Sequence, residues 1–434
     1  MWITVSLFVL ALTAQVWSNA CPCAREELCQ PVRSQPAFEV FVFDVGKKDW
    51  KFYDWTKVTT VAAFGEYDAE LMCYAHSKGA RVVLKGDVPL SYIVDPVNRT
   101  AWIQEKVQLA KSQFMDGINI DVEQAVETGS PEYYALTALV KETTESFHTE
   151  IPGSQVSFDV AWSPKCIDKR CYDYLTIADS CDLLFVMSYD EQSQIWGDCI
   201  AMANAPFNQT LTAYDQYISM NIEPKKLVMG VPWYGYDYSC LNFTKEGICT
   251  IPKVPFRGAP CSDASGKQIP YSIMMKQINS SISGRLWDEN QRAPYYNYKD
   301  TEGRVHQVWY DDPESIALKA AYVAQRGLRG IGMWNGNILD YSSDPVAQQQ
   351  TVDMWNALTP GPAVLWQLAF STRQKKERKK KTSQVLKLTS KTNQCMSVQY
   401  LDLCGQFHFS IIHIFPQIIN FTALCHNLDY QLIL

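Results

Sequence analysis

The sequence predicts an α/β fold: a (β/α)8 TIM barrel with a small α+β insertion between its seventh and eighth strands. Three observations carry that expectation. Eight short apolar runs recur along the chain, helical patterns lie between most of them, and one long segment rich in Pro, Gly, Tyr and Cys interrupts the rhythm before the last run. Strands that alternate with helices pair in parallel, because each parallel pair needs a crossover. A doubly wound open sheet is the rival, and its signature is a glycine-rich phosphate turn after the first strand. Here the first strand runs out in Phe43-Asp44-Val45-Gly46-Lys47-Lys48, which has no Gly-x-Gly-x-x-Gly.

The strands are expected at 38–43, 58–64, 80–84, 116–123, 156–162, 183–189, 227–232 and 330–334. Each is short and rich in Val, Ile, Phe or Met, as strands buried on both faces should be. Helices are expected at 101–113, 131–148, 211–220 and 313–326, the second opening on Pro131, which suits a first helical turn. The insertion spans about 240–310, and the barrel body runs from 37 to 358.

The fourth strand is the informative one. From Ile118 to Glu123 it alternates strictly, with Ile118, Ile120 and Val122 on one face and Asn119, Asp121 and Glu123 on the other. Side chains on a strand alternate between faces, which sets Asp121 and Glu123 roughly 6–7 Å apart at Cα. The edge strand of a sandwich could show this pattern with its polar face in water. In a barrel the aliphatic face packs on the helices and the polar face points at the axis, where branched aliphatics normally sit. Unpaired buried carboxylates are costly, so two of them rising to the C-terminal mouth read as a site.

Composition sets the compartment. The chain has 434 residues, 47% hydrophobic and 20% charged, with a formal net charge of −7. That is an ordinary globular balance, and its acidity argues against nucleic acid as a partner. Residues 1–20 read as a signal peptide: Leu7-Phe8-Val9-Leu10-Ala11-Leu12 is an apolar core too short to span a bilayer, and Ser18-Asn19-Ala20 is a small-x-small cleavage site. Asn-x-Ser/Thr acceptors stand at Asn98, Asn208, Asn242 and Asn279, with one more at Asn420 in the tail. There are 14 cysteines, 11 of them between Cys21 and Cys261. That density suits an oxidising compartment. Cys21, Cys23 and Cys29 staple an N-terminal stub at 21–36. Cys166/Cys171, Cys181/Cys199 and Cys240/Cys249/Cys261 are clustered for short-loop disulfides, and an odd count in the body leaves one thiol over. Neither the cysteine spacings nor the six histidines form a zinc pattern, so no metal is expected.

At this point the residues carry a resemblance. Asp116-x-x-Asn119-x-Asp121-x-Glu123 resembles the Asp-x-x-Asp-x-Asp-x-Glu signature of glycoside hydrolase family 18, the chitinase family. Met187-Ser188-Tyr189-Asp190 is similar to the family's sixth-strand motif, Gly230-Val231-Pro232-Trp233-Tyr234-Gly235 to its seventh, and Gly332-Met333-Trp334 to its eighth, over about 38–358. Asn119 departs from the family's usual Asp. Together with Ser188–Ser193 and Pro294–Tyr298 it resembles the branch that cuts the chitobiose core of Asn-linked glycans.

The resemblance implies a substrate-assisted, retaining mechanism without a protein nucleophile or a cofactor. Glu123 would be the general acid and base, and Asp121 would hold the sugar's acetamido N–H. Tyr189 would donate to the acetamido oxygen, and Trp334 would offer an apolar ring face. Asp116, Asn119, Met187, Asp190 and Tyr234 complete the expected substrate-binding set, with Asn119 hydrogen-bonding Asp121 and Asp116 in an orienting role. Asp159 is another inward carboxylate, with no role assigned. The implied activity is hydrolysis of GlcNAc-β-1,4-GlcNAc from the reducing end by a monomeric lysosomal enzyme. A general chitinase and a non-catalytic chitin lectin are the alternatives. A lectin usually lacks the acid that Glu123 supplies, and a polymer-acting chitinase often has a separate Cys-rich chitin-binding module.

From 359 to 434 the sequence resembles nothing in the family. Its basic run, Arg373-Gln374-Lys375-Lys376-Glu377-Arg378-Lys379-Lys380-Lys381, is a solvated stretch, and Pro416 interrupts its apolar patch well short of a membrane span. The tail is read as an atypical, disordered C-terminus, and no stable membrane insertion is expected.

Overall fold

The computed structural model describes residues 20–359 apart from 195–197 and 257–258, together with Gly361, 397–401 and 407–411. Most of the expected signal peptide and Asn420 lie outside these residues. The chain divides into two compact units, Met1–Leu365 and Trp366–Leu434.

In the first unit, eight parallel strands close a barrel in the order β1-β15-β7-β6-β5-β4-β3-β2. They are β1 Glu39–Asp44, β2 Thr60–Ala63, β3 Arg81–Gly86, β4 Gly117–Ile120, β5 Gln155–Ala161, β6 Leu183–Met187, β7 Leu227–Pro232 and β15 Gly330–Trp334. Every expected strand is present, and each boundary lies within three residues of its expected place. The fourth is the most shortened, because its ladder to β3 and β5 stops at Ile120.

Helices run between the strands over Pro96–Ser112, Pro131–Glu150, Phe207–Ser219 and Pro313–Arg326. Asp95, Ser130, Asp312 and Asp344 cap four helices, each followed by a proline that already has helical φ and needs no N–H partner.

The alternation along the strands produces two cores. Val42, Val82, Ile118, Ile120, Val156, Val186 and Ile331 face out and pack beneath the helices. Phe41, Phe43, Val83, Phe185 and Val228 fill the barrel itself. The Phe185 ring lies 4.7 Å from Phe43 and 5.4 Å from Phe41. That ring plug needs Gly332, where a Cβ would come within 2.8 Å of Phe185 and 2.3 Å of the Phe41 carbonyl.

The insertion begins earlier than about 240. After Trp233 the chain turns into β8 Tyr234–Ser239, followed by β9 Asn242–Phe243, β10 Cys249–Thr250, β11 Lys267–Pro270, β12 Leu286–Asp288, β13 Ala293–Lys299 and β14 Val305–Trp309. Five of these form an antiparallel sheet in the order β11-β8-β14-β13-β12, with the helix Tyr271–Gln277 beside it. The insertion is α+β, as its composition suggests.

Five disulfides are present among the described residues: Cys21–Cys29, Cys23–Cys73, Cys166–Cys171, Cys199–Cys261 and Cys240–Cys249. The grouping of Cys181 with Cys199 does not hold. Cys199 reaches across to the insertion, and among the described residues Cys181 is the free thiol, buried just before β6, where burial pushes it up to about 12. The stub is tied to the barrel as well as to itself, through Cys23–Cys73.

In the segment read as disordered, the second unit contains an antiparallel ribbon of β16 Ser397–Leu401 and β17 Phe407–Ile411. No helix of the described residues is long and apolar enough to cross a membrane.

Candidate active site

Asp121, Val122 and Glu123 leave β4 at the C-terminal rim of the barrel, where (β/α)8 enzymes carry their chemistry. The Asp121 amide still donates to Gly86 O of β3 at 2.7 Å, so the alternation outlives the ladder. Val122 is buried outward, Asp121 is partly buried towards the axis, and the Glu123 side chain is 53% exposed. Burial, with the Glu123 charge next in importance, pushes the Asp121 carboxyl up to about 6, and Lys85 opposes this. One Asp121 oxygen, Oδ1, is enclosed and makes no hydrogen bond among the described residues. Glu123 Oε2 accepts from the Arg170 guanidinium at 2.9 Å.

Asn119 does not reach the rim. It is fully buried one step below the rim, and its amide donates to Ser157 Oγ at 2.9 Å and Asp159 Oδ1 at 2.8 Å rather than to Asp121. Burial and then the charge of Asp121 hold the Asp159 carboxyl well above the usual carboxylate range. Asp159 is thus the lower member of a stack whose upper members are Asp121 and Glu123. The inward parity of β5 reveals its direction, but nothing in the sequence assigns the contact.

β6, two places round the barrel from β4, supplies the next wall. Met187, Tyr189 and Asp190 line a cavity of about 290 Å³ together with Glu123, Trp162, Arg170 and Tyr236. Burial, followed by the charge of Asp159, holds the Tyr189 phenol well above its ordinary value, so it stays a neutral donor. Tyr234 and Tyr236 of β8 both donate to Asp190 Oδ1, at 2.6 and 2.8 Å. Tyr234 therefore acts by fixing Asp190, and the insertion builds part of the rim. Burial raises the Asp190 carboxyl despite both phenols.

Trp334 closes β15, four places round the barrel from β4, so it faces the Asp121 strand across the mouth. Its half-buried ring rests on Phe43 and Phe64, at 5.3 and 5.8 Å between centroids.

Asp116, expected in an orienting role, is not at the rim. It lies at the opposite end of β4, about 16 Å along the strand from Asp121, and is fully buried. Its Oδ1 accepts from Val32 N of the stub, and its Oδ2 accepts from Val82 N at 2.7 Å and meets His76 Nε2 at 2.8 Å. It holds the stub under the barrel, at the end away from the rim.

Asn208, Asn242 and Asn279 are exposed and Asn98 is partly so. Among the described residues the metal-like cluster is Cys21, Cys23 and Cys29, whose sulfurs are consumed in disulfides.

A closed barrel with stacked carboxylates at its C-terminal rim, a neutral phenol beside them and an indole opposite defines an acid–base enzyme of the glycosidase type. The profile "Glycosyl hydrolases family 18" matches residues 49–337, and the chain belongs to that family of glycoside hydrolases. It is 70% identical to the di-N-acetylchitobiase of Mus musculus, over 82% of this chain and 97% of the mouse protein. It is 71% identical to that of Homo sapiens, over 78% and 88%. A protein of Dictyostelium discoideum named probable di-N-acetylchitobiase 2 is 38% identical over 78% of this chain and 90% of its own. Among solved structures, a chitinase from Chromobacterium violaceum superposes with a TM-score of 0.58 at 17% identity, covering 75% of this chain and all of its own. A Group IV chitinase from Ostrinia furnacalis does so at 0.58 and 21%, covering 74% and 97%. At those identities the superpositions show the shared barrel.

Proposed function

We propose that this enzyme hydrolyses the GlcNAc-β-1,4-GlcNAc bond of the chitobiose core of Asn-linked glycans and of short chito-oligosaccharides. It releases GlcNAc from the reducing end by retaining, substrate-assisted catalysis. The close relatives named di-N-acetylchitobiase support the substrate. The observation that carries the mechanism is Asp121, a partly buried carboxylate with one enclosed oxygen and no partner for it. Such an oxygen can accept an acetamido N–H without first giving up a bond to the protein.

The Tyr189 hydroxyl donates to the acetamido oxygen and fixes it beneath the anomeric carbon. That oxygen attacks the anomeric carbon as the bond to the leaving oxygen breaks, and the Glu123 proton passes to the leaving oxygen. Asp121 faces the positive charge of the resulting oxazolinium. Water then adds at the anomeric carbon and yields its proton to Glu123, while the acetamido oxygen departs. Two displacements leave the configuration retained. Trp334 presents its ring face to the sugar across the mouth. No step needs a cofactor or a metal ion. The enzyme acts as a monomer in the lysosome after passing through the secretory pathway, a route its five disulfides suit.

Glu123→Gln keeps the shape and removes the transferable proton, so hydrolysis should fall by at least about a hundredfold with the fold intact. Chitotriose labelled at its reducing end should give labelled GlcNAc first. Near wild-type rates in Glu123→Gln would overturn the acid assignment, and label appearing first in a disaccharide would overturn the direction of cutting.

A further inference from the structure

The loop after β5 is laced onto the segment that carries Glu123. Val126 N donates to Lys169 O at 2.9 Å, and Cys171 N donates to Val126 O at 3.2 Å. The Tyr172 hydroxyl sits 2.9 Å from Val122 O and 2.7 Å from Gln124 O, the carbonyls on either side of Glu123. Arg170 lies in the same loop, inside the ring closed by Cys166–Cys171. Its side chain is only 7% exposed, yet it spans two carboxylates, Glu123 Oε2 at 2.9 Å and Asp168 Oδ2 at 3.1 Å. The Tyr174 hydroxyl holds the Arg170 carbonyl at 2.6 Å. The backbone and the carboxylate of Glu123 are thus gripped by one disulfide-closed loop.

We propose that Arg170 is a positioning residue for the general acid: its guanidinium sets where the Glu123 carboxylate stands at the rim, and the Tyr172 hydroxyl sets the backbone beneath it. The inference rests on the assignment of Glu123 as the acid. The physical reason is geometric. Glu123 is half exposed at the end of a strand that has already left its ladder, so nothing in β4 fixes its rotamer. A planar guanidinium keeps its charge when buried and offers donors in a rigid fork. Anchored on Asp168, it presents one edge to Glu123 at a defined place. Its charge also lowers the Asp121 carboxyl and so offsets part of the repulsion between Asp121 and Glu123. The ionisable groups that feel the guanidinium are Glu123, Asp168, Tyr172, Tyr174, Asp121 and Tyr217.

Four variants of the full chain, assayed on chitotriose across pH, test this. Misplacing a reacting group by about 1 Å costs about a hundredfold, so Arg170→Gln should lower kcat by roughly that factor while KM stays within about twofold. The Arg170 charge lowers the Asp121 carboxyl. Without it, the limb of the pH profile set by the carboxylate pair should move to higher pH. Arg170→Lys keeps the charge but loses the fork, so kcat should fall with that limb in place. Tyr172→Phe should lower kcat without moving the limb. If Arg170→Gln does not fold, the last two variants carry the test. A raised KM at unchanged kcat would make Arg170 a sugar ligand and overturn the proposal. So would unchanged kcat and pH profile in a protein whose Glu123→Gln variant is inactive. An active Glu123→Gln variant overturns the function proposed above, and this inference with it.

Discussion

Asp121→Asn should make the enzyme inactive and more stable at once. In the folded protein the Asp121 carboxyl is held at about 6, against an ordinary value of 3.8. The folded state therefore binds this proton more tightly than the unfolded chain does. That contribution is complete below the unfolded value and is lost as pH rises towards 6. Above that, the folded protein bears the full cost of a desolvated charge beside Glu123. At about 1.36 kcal/mol per unit of pKa the cost is about 3 kcal/mol. Asparagine keeps the shape and carries no charge, so it removes that cost at neutral pH. The barrel unit has roughly 340 described residues. With an unfolding entropy of about 2.1 cal/mol/K per residue, 3 kcal/mol corresponds to a rise in Tm of about 4 °C. The assay is thermal unfolding by circular dichroism at about pH 7.5 and about pH 4, with chitotriose hydrolysis measured on the same samples. The gain should be present at the higher pH and nearly absent at the lower one. An equal gain at both, or none at neutral pH, would refute desolvation as the reason Asp121 is raised.

Trp334→Ala removes the ring face opposite Asp121 and should raise KM about tenfold, with Trp334→Phe recovering most of the loss. The Cys23–Cys73 bridge spans 50 residues, and on chain-entropy grounds its removal by Cys23→Ser with Cys73→Ser should cost about 4 kcal/mol. Activity of the protein that remains folded should be unchanged, because the stub docks at the end of the barrel away from the rim; denaturant titration and kcat on one preparation check both.

The barrel was legible because its strands are buried on both faces and so read as apolar runs with turn residues between them. The rim was legible where period two survives, at Asp121 and Glu123, and where motifs mark strand ends, at Met187, Tyr189, Asp190 and Trp334. What parity supplies is direction and not partner. It turns Asn119 inward, but the partner turns out to be Asp159, a strand away, and not Asp121 on the same strand. It gives Asp116 the opposite face without saying that this face meets a histidine and the N-terminal stub. Arg170 had no signal at all, since a loop residue has no period. The cysteine spacing around it marked a short ring but not what that ring grips. The start of the insertion was missed because Tyr234–Ser239 continues the aromatic, β-prone composition of β7, and only the pairing with β11 and β14 separates them.

The two ends of β4 bear on how such a chain can change. One eight-residue line, from Asp116 to Glu123, contains two devices that share nothing but a backbone. Its first acid is a foundation bolt, its carboxylate held by Val32, Val82 and His76. On the roles proposed above, its last two are the working edge. Catalysis can therefore be erased at Asp121 or Glu123 without loosening the stub, and the stub can be loosened at Asp116 without touching an atom at the rim. A chain that keeps the front of this motif and loses its back is a sound barrel without chemistry. The first Asp reports that the stub is seated, and on the proposed mechanism the final Glu reports that the barrel is an enzyme.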